Sequence, residues 1–562
     1  MLEVEKDIRV VLAIDFGTTY SGYAYAHVEN PTGMSVEDKW EGYVGRLKTP
    51  TVIKYTDETY TTVDSWGYPA LARKPSKRDK INSEKSKGKE KEKPSSTKPV
   101  ELFKLHLSKS FKGNLSLPDH LDYRKVITDY MRELWKSAKK SLQTHWQNLN
   151  FHSQVSIILT VPAEFVDNEI SIVRECAFNA GLMKEKFSNN LQFTTEPEAA
   201  AIHCLNSIVK EEHNLVPGDL FMVVDCGGGT VDITTRELLE DNKLGEETVR
   251  EGDFCGSSFV DEAFLSFIGN ITGTHAIDQM KKYHYGILQY MVQEFRAAKF
   301  IFTGEETVFE PYGFDLEDLR VIKQYIVGEK RKKLEENKWY IEIGFEEIKE
   351  MFDPVIEKII HLIRGQLNQI EKNCSAMFLV GGFSQSPYLQ SRIKNEFLGV
   401  IPSISIPTLP IASVLKGAVL YGLDESTVAT RKLSRTYGTD VVRKWQPTDP
   451  YSPNGYVVAF ETLAKRDKKV AINDKIIRKF QPFSLLQREI SFKIYITKET
   501  NVKYCNDVGV TLLSELVMKL PENENAEDVT IVFTLTFGGV VILATAVNQK
   551  THDKYQISFN YE

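Results

Sequence analysis

The sequence predicts a soluble multidomain protein in which one strand–turn–strand unit occurs twice and an all-β domain follows. Three observations carry this expectation. A length of 562 residues exceeds what one hydrophobic core supports, so three or four domain-sized units are expected. An apolar strand, an aspartate, glycine, threonine and a second strand follow one another at Asp15 and again at Asp225, 210 residues later. Beyond Tyr421 the chain turns to period-two alternation interrupted by turn residues.

Composition narrows the class. With 42% apolar, 26% charged and 11% aromatic residues the chain falls in the soluble globular range. Six scattered cysteines with no CxxC argue against a disulfide framework or structural zinc and for a reducing, intracellular setting. The N-terminus "MLEVEKDIRVVLAID" enters a strand directly, with no signal-peptide pattern. No run reaches 18 apolar residues, so no membrane-spanning helix is expected. A net charge of -7 gives no reason to expect a nucleic-acid partner. Residues 73–99 are the local exception, with eleven basic and four acidic residues and one isoleucine. That segment has too little apolar surface to offset the entropy of ordering and reads as a disordered insertion in a surface loop.

The duplicated unit carries the chemistry. In "VVLAIDFGTTYSGYAYA" an apolar strand runs to Asp15, passes Gly17, Thr18 and Thr19, and resumes as a strand from Tyr20 to His27. In "VVDCGGGTVDIT" the strand runs to Asp225, passes Gly227, Gly228, Gly229 and Thr230, and resumes through Asp232. Each is a hairpin whose tip presents backbone N–H groups and hydroxyls. Glycine at such a tip costs about 0.5–1 kcal/mol relative to alanine, which a bound phosphate can offset. A lone "GGGT" would read as a turn or bulge. Two copies in one frame can face each other across a cleft and hold a polyphosphate with its magnesium, each aspartate acting through water because that ion dehydrates reluctantly.

The motifs "AIDFGTTYS", "LTVPAEF", "TTEPEAAAI", "VVDCGGGTVDIT" and "FLVGGFSQSP" stand in the order and spacing of the heat shock 70 kDa proteins, which share a superfamily with actin and hexokinase. The chain resembles that family over roughly residues 8 to 424, and its departures resemble most the divergent heat shock 70 kDa protein 12 branch. The resemblance implies an α/β two-lobed actin-like ATPase, with duplicated ribonuclease-H-like mixed sheets flanked by helices, followed by a C-terminal all-β domain. It places lobe I at about 1–190, lobe II at about 191–380, a return to lobe I at about 381–424, and a β-rich substrate- or partner-binding domain at 425–562.

The site residues implied by the resemblance follow the motifs. Asp15 resembles the first-loop magnesium aspartate, and Gly17, Thr18, Thr19 and Tyr20 the turn around the β- and γ-phosphates. Asp225 and Asp232 match the second-loop acids that order metal-bound and attacking water, with Gly227, Gly228 and Gly229 at the phosphates and the Thr230 hydroxyl at the γ-phosphate. Glu196 matches an acid at the metal's water shell, or else is a capping residue. Lys104 is similar in context to the family's catalytic lysine, with Lys109 and Lys112 as alternatives. Such a cation neutralises the transferred phosphoryl group.

The nucleoside end departs from the family pattern. Gly381 and Gly382 resemble the turn beneath adenine and ribose. Gln385 stands where classical members stack an arginine on the base, and Phe383 where a small residue is usual. Lys299 in "QEFRAAKFIF" is placed for the ribose, yet the usual acid just before it reads as Arg296 or Ala297. Gly256 in "CGSSFVDEAF" keeps a glycine position of a third turn. Cys226 and Cys255 lie beside these loops and read as small buried filler.

In the last part of the chain, "GYVVAFETL", "ISFKIYIT", "VGVTLLSELVMKL", "DVTIVFTLTFGGVVILATAV" and "YQISFNYE" read as strands of a sandwich or half-barrel. Its position matches the family's peptide-binding β-domain. "ESTVATRKLS" replaces the apolar interdomain linker of the family, and neither a helical lid nor an acidic tail has a counterpart. The implied cofactors are ATP or ADP with Mg²⁺. The implied partners are a protein or peptide client and a co-chaperone or nucleotide-exchange factor, in the cytoplasm or nucleus. Three functions stay open: a slow, chaperone-like ATPase, a nucleotide-gated adaptor with little turnover, and, more weakly, a small-molecule kinase of the same superfamily.

Overall fold

The computed structural model describes residues 7–72, 97–108, 111, 117–165, 167–186, 188, 190–209, 215–317, 319–482, 487–499, 501–520, 529–537 and 541–560. Residues 73–96 of the basic insertion, and Lys109 and Lys112, lie outside the described residues. No described helix is long and apolar enough to cross a membrane.

The first sheet runs in the order Leu191–Thr195, Val155–Val161, Val10–Phe16, Tyr20–His27, Asn30–Val36, with Thr49–Pro50 also paired to Tyr20–His27. Val10–Phe16 is parallel to Val155–Val161 and antiparallel to Tyr20–His27. All seven of its residues are buried, as a central strand covered on both faces requires, so it reads as one apolar run. The helix Tyr123–His145, capped by the Asp122 side chain, covers one face through Val126, Tyr130 and Leu134. Leu191–Thr195, expected at the start of the second lobe, pairs with Val155–Val161 in this first sheet.

The second sheet repeats the plan. Leu220–Cys226 lies parallel to Cys374–Val380 and antiparallel to Val231–Leu239, which puts Asp225 directly opposite Asp232. The helices Ser258–Thr272, Tyr285–Ile301 and Phe345–Leu367 cover its outer face. Between the two sheets lies a shared layer, the helices Glu196–Cys204 and Ser413–Leu423. Small residues let these helices cross closely: a Cβ on Gly417 would sit 1.6 Å from the Ala199 carbonyl oxygen. The three alanines of "EPEAAA" thus have a packing role as well as a place in the motif.

The C-terminal part forms two four-stranded antiparallel sheets. One holds Tyr456–Ala464, Thr436–Lys444, Glu489–Thr497 and Val510–Lys519, and the other Lys475–Phe480, Ile531–Phe537, Val541–Asn548 and Lys554–Asn560. Their inward side chains make a separate core. The long "DVTIVFTLTFGGVVILATAV" segment is two antiparallel strands, not one. Two mixed sheets flanked by helices, followed by an all-β domain, is the expected class.

The stretch read as a linker holds the main topological difference. Val428–Lys432 is a strand of the second sheet, parallel to Lys243–Glu246, and Lys469–Ala471 joins that sheet beside it. The sheet of the second lobe therefore continues into the chain that builds the β-domain.

Candidate active site

The two hairpin tips meet. A Cβ added to Gly228 would fall 1.9 Å from Thr19 Oγ1, and one on Gly229 would fall 2.6 Å from Thr18 Oγ1. Within each turn, a Cβ on Gly17 would strike the Tyr20 carbonyl oxygen at 2.2 Å and one on Gly227 the Thr230 carbonyl oxygen at 2.9 Å. Glycine is required here because backbone and opposing hydroxyls occupy the space of a side chain. Thr51 braces the first tip, its N–H donating to Thr19 O and its hydroxyl to Gly17 O, both at 2.8 Å. Under the second tip the N–H groups of Gly256, Ser257 and Ser258 donate to the carbonyls of Gly229, Gly227 and Gly228 at 3.2, 3.1 and 2.9 Å. Gly256 thus supports the triple-glycine loop, where a side chain would lie 2.5 Å from the Gly228 backbone.

Strand ends gather the acids around the tips. Asp15, Asp225 and Asp232 are 3%, 5% and 1% exposed. Asp15 Oδ1 accepts from Thr160 Oγ1 at 3.2 Å, and Asp232 Oδ1 accepts from the Ala163 N–H at 2.8 Å. Glu196 opens the shared-layer helix, but the cap is the Thr195 hydroxyl, which accepts from the Glu198 N–H. The Glu196 carboxylate is instead turned to Lys104, whose Nζ donates to Oε1 at 2.8 Å and lies 5.7 and 5.8 Å from the rings of Phe16 and Phe165. Those rings shield the ammonium from water, which strengthens its action on any nearby anion.

Negative charge exceeds positive in this cluster. Burial, then the carboxylates of Glu196 and Asp232, hold Asp225 well above the usual carboxylate range. Burial pushes Glu196 up to about 7, against the pull of Lys104 and with the push of Asp15 and Asp232. A buried group of acids that resists full ionisation fits a cation with oxygen ligands. Among the described residues no three His, Cys, Asp or Glu side chains close on one point as direct ligands. Asp15 and Asp225 could hold magnesium through its water shell.

Three further charged residues stand at the site, none of them singled out by the motif reading. Lys48 Nζ donates to Asp15 Oδ2 at 2.5 Å. Burial would lower its pKa, but Asp15, Asp225 and Glu196 outweigh that and raise it. Glu164, inside the "TVPAEF" motif, lies against Asp232, and both of its carboxyl oxygens are out of solvent. Burial, and then the charge of that neighbour, keep it well above the carboxylate range. Asp261 is the acid missing from the lysine helix: its Oδ1 accepts from Lys299 Nζ at 2.5 Å and its Oδ2 from Arg296 Nε at 3.1 Å. The helix Ser258–Thr272 supplies it, so no spacing along Tyr285–Ile301 could reveal it.

At the nucleoside end, Gly381 has φ +85°, and a Cβ there would lie 2.3 Å from Asp225 Oδ1. This turn therefore abuts the second-hairpin acid. Gly382 leads a short turn Phe383–Gln385, in which Gln385 is exposed. The Phe383 ring is buried in the second-lobe core against Phe352, 6.2 Å between centroids, which removes it from contact with a nucleobase. Lys299 is 3% exposed and also donates to Ser257 O at 3.0 Å, beside the brace of the triple-glycine loop. Cys226 and Cys255 are buried, their thiols pushed up by burial.

No protein-family model matches the chain. Known proteins do. The chain is 27% identical over 648 aligned residues to heat shock 70 kDa protein 12A of Mus musculus, covering 99% of this chain and 92% of that protein. It is 25% identical to human heat shock 70 kDa protein 12B over 646 residues, with the same coverage of each. The chaperone protein DnaK of Burkholderia cenocepacia (strain HI2424) aligns at 23% identity over 435 residues, 73% of this chain and 59% of its own length.

Proposed function

We propose that the chain, similar over 99% of its length to heat shock 70 kDa proteins 12A and 12B, is a protein of the heat shock 70 kDa family that binds magnesium–ATP against its two adjoining hairpin tips, hydrolyses it slowly and lets nucleotide state control protein or peptide binding at its β-domain. The reading rests on one observation, the contact of two glycine–threonine tips over buried Asp15 and Asp225. Bound magnesium supplies charge neutralisation on the phosphates. Asp15 and Asp225 hold its water shell, and the backbone N–H groups and hydroxyls at Thr18, Thr19 and Thr230 orient the phosphate chain. Asp232, with Glu164 behind it, positions the attacking water and takes up its proton. Lys104, held by Glu196, meets the transferred phosphoryl group.

The output path is the strand Val428–Lys432, which continues the second sheet toward the β-domain. The client is a protein segment with exposed apolar side chains, met in the cytoplasm or nucleus, and a co-chaperone or exchange factor resets the nucleotide. A second reading, a nucleotide-gated adaptor with little turnover, draws support from the engagement of Lys104 by Glu196. Phosphate release in the steady state, with and without an unfolded peptide, separates the two: stimulation by peptide marks the chaperone-like ATPase, and binding without turnover marks the adaptor. Calorimetry with ATP, ADP and GTP tests the nucleotide itself, and no heat with any of the three refutes the site.

A further inference from the structure

The acid cluster contains a cation whose place no phosphate-loop motif requires. Lys48 lies just before Thr49–Pro50, the short strand that pairs with Tyr20 and Ser21 beside the first tip. Its stem is seated against the hairpin, with Cγ 3.1 Å from where a Cβ on Gly22 would be, and its carbonyl accepts from Tyr68 Oη at 3.2 Å. Its ammonium is 2.5 Å from Asp15 Oδ2, and the two side chains are 11% and 4% exposed. This is a built contact and not a surface ion pair.

We propose that Lys48 is the resident counter-cation of the metal site: it occupies Asp15 while the cleft is empty and moves onto the phosphate oxygens when magnesium–nucleotide binds. The proposal rests on the nucleotide reading above. An ammonium at 2.5 Å neutralises the Asp15 charge and takes up an acceptor site of Oδ2, so the carboxylate is a poorer partner for the water shell of a divalent ion until Lys48 moves away. A buried ammonium released from its carboxylate needs another anion, because an unpaired buried charge is strongly unfavourable. The incoming phosphate is that anion. Lysine suits the exchange, being a point charge on a flexible four-carbon stem.

Two consequences separate this role from passive charge balance. Magnesium alone must compete with Lys48 for the Asp15 charge and should bind the nucleotide-free protein poorly. ATP stripped of metal should still find a cation at the tips. Calorimetry on the full chain with magnesium chloride alone, ATP in EDTA, and magnesium–ATP reads both. For Lys48→Met we expect magnesium alone to bind more tightly and metal-free ATP to bind about 10- to 100-fold more weakly, the value of a charge-assisted contact to phosphate. Lys48→Arg should keep metal-free ATP affinity within a few-fold of the wild type. A Lys48→Met protein that matches the wild type in both of the first two titrations overturns the proposal. Should that variant not fold, the wild type decides: magnesium–ATP binding with no measurable binding of ATP in EDTA overturns the role of Lys48 alone. No ATP binding under either condition overturns the nucleotide reading and this role with it.

Discussion

Arg431 grips Glu198 with both terminal nitrogens, Nη1 to Oε2 at 2.5 Å and Nη2 to Oε1 at 2.8 Å, tying the strand that leaves the second sheet to the helix of the shared layer. That helix begins at Glu196, the partner of Lys104, so the acid cluster at the hairpin tips and the β-domain junction are both tied to the first turn of one helix. Arg236, fully buried, stands 3.6 Å from both Glu198 and Glu246 and completes the cluster. Arg431→Ala leaves a buried carboxylate without its bidentate partner, a loss of about 3–5 kcal/mol. Thermal unfolding should shift accordingly, and limited proteolysis should open the chain between residues 424 and 436. A variant with wild-type melting and no new cleavage would show that the clasp does not hold the junction.

Asp15→Asn and Asp225→Asn should each weaken magnesium–nucleotide affinity, measured by calorimetry. Unchanged binding in both would contradict the assignment of the acids. Lys104→Ala should bind nucleotide nearly normally and lose about 100- to 1,000-fold in turnover, the scale of one preorganised charge at the reacting group. Normal phosphate release from that variant would move the role to another lysine.

Gly381→Ala tests the link between the nucleoside turn and the acids. The substitution combines a left-handed backbone, strained by about 1–3 kcal/mol for a residue with a side chain, with a Cβ that collides with Asp225. Both stability and magnesium–nucleotide affinity should fall. Gly42→Ala is the control: its φ is +77° but nothing lies within 4 Å of the added carbon, so only stability should change. Equal nucleotide affinity in the two variants would break the link.

His203, on the shared helix, is pushed down to about 4 from 6.5, chiefly by burial and then by Lys416. With its folded pKa depressed, the histidine is neutral in both states above pH 6.5 and costs no stability there. As pH falls from about 6.5 to about 4 the unfolded chain alone takes up the proton, and stability is lost across that window. The full effect is about 3 kcal/mol. Glu196, raised to about 7, works in the opposite direction over much of this range, so the comparison must be between wild type and His203→Gln. Denaturant unfolding at pH 7, 5.5 and 4 should show a shallower decline in the variant, and parallel declines would exclude His203 as the cause.

The hairpin tips and their strand-end acids Asp15 and Asp225 are legible in the chain because each belongs to a short stretch whose local conformation constrains it, whereas Asp232, Lys104 and Glu196 are implied by the family resemblance. Consecutive glycines after a buried strand admit few structures, and two such stretches need only face one another. Phe383 illustrates the limit. Its position in "GGFSQSP" is a matter of sequence, but whether the ring meets a nucleobase or the core is settled by Phe352 on the separate helix Phe345–Leu367.

The residues from Val428 to Lys432 draw the boundary most sharply. Two of their five side chains are basic, a poor signature for an interior strand, and by themselves they read as an exposed connection. They enter the sheet because Glu198 and Glu246, brought together from separate elements, receive Arg431 and the Lys432 N–H. Lys48, Glu164 and Asp261 reach the site in the same way. Which turns must be tight and which strands must be buried can be read from the chain itself, since glycine freedom and apolar periodicity act over a few residues. Where the buried charges settle cannot, because each is tolerable only beside a partner, and folding brings those partners from distant parts of the chain.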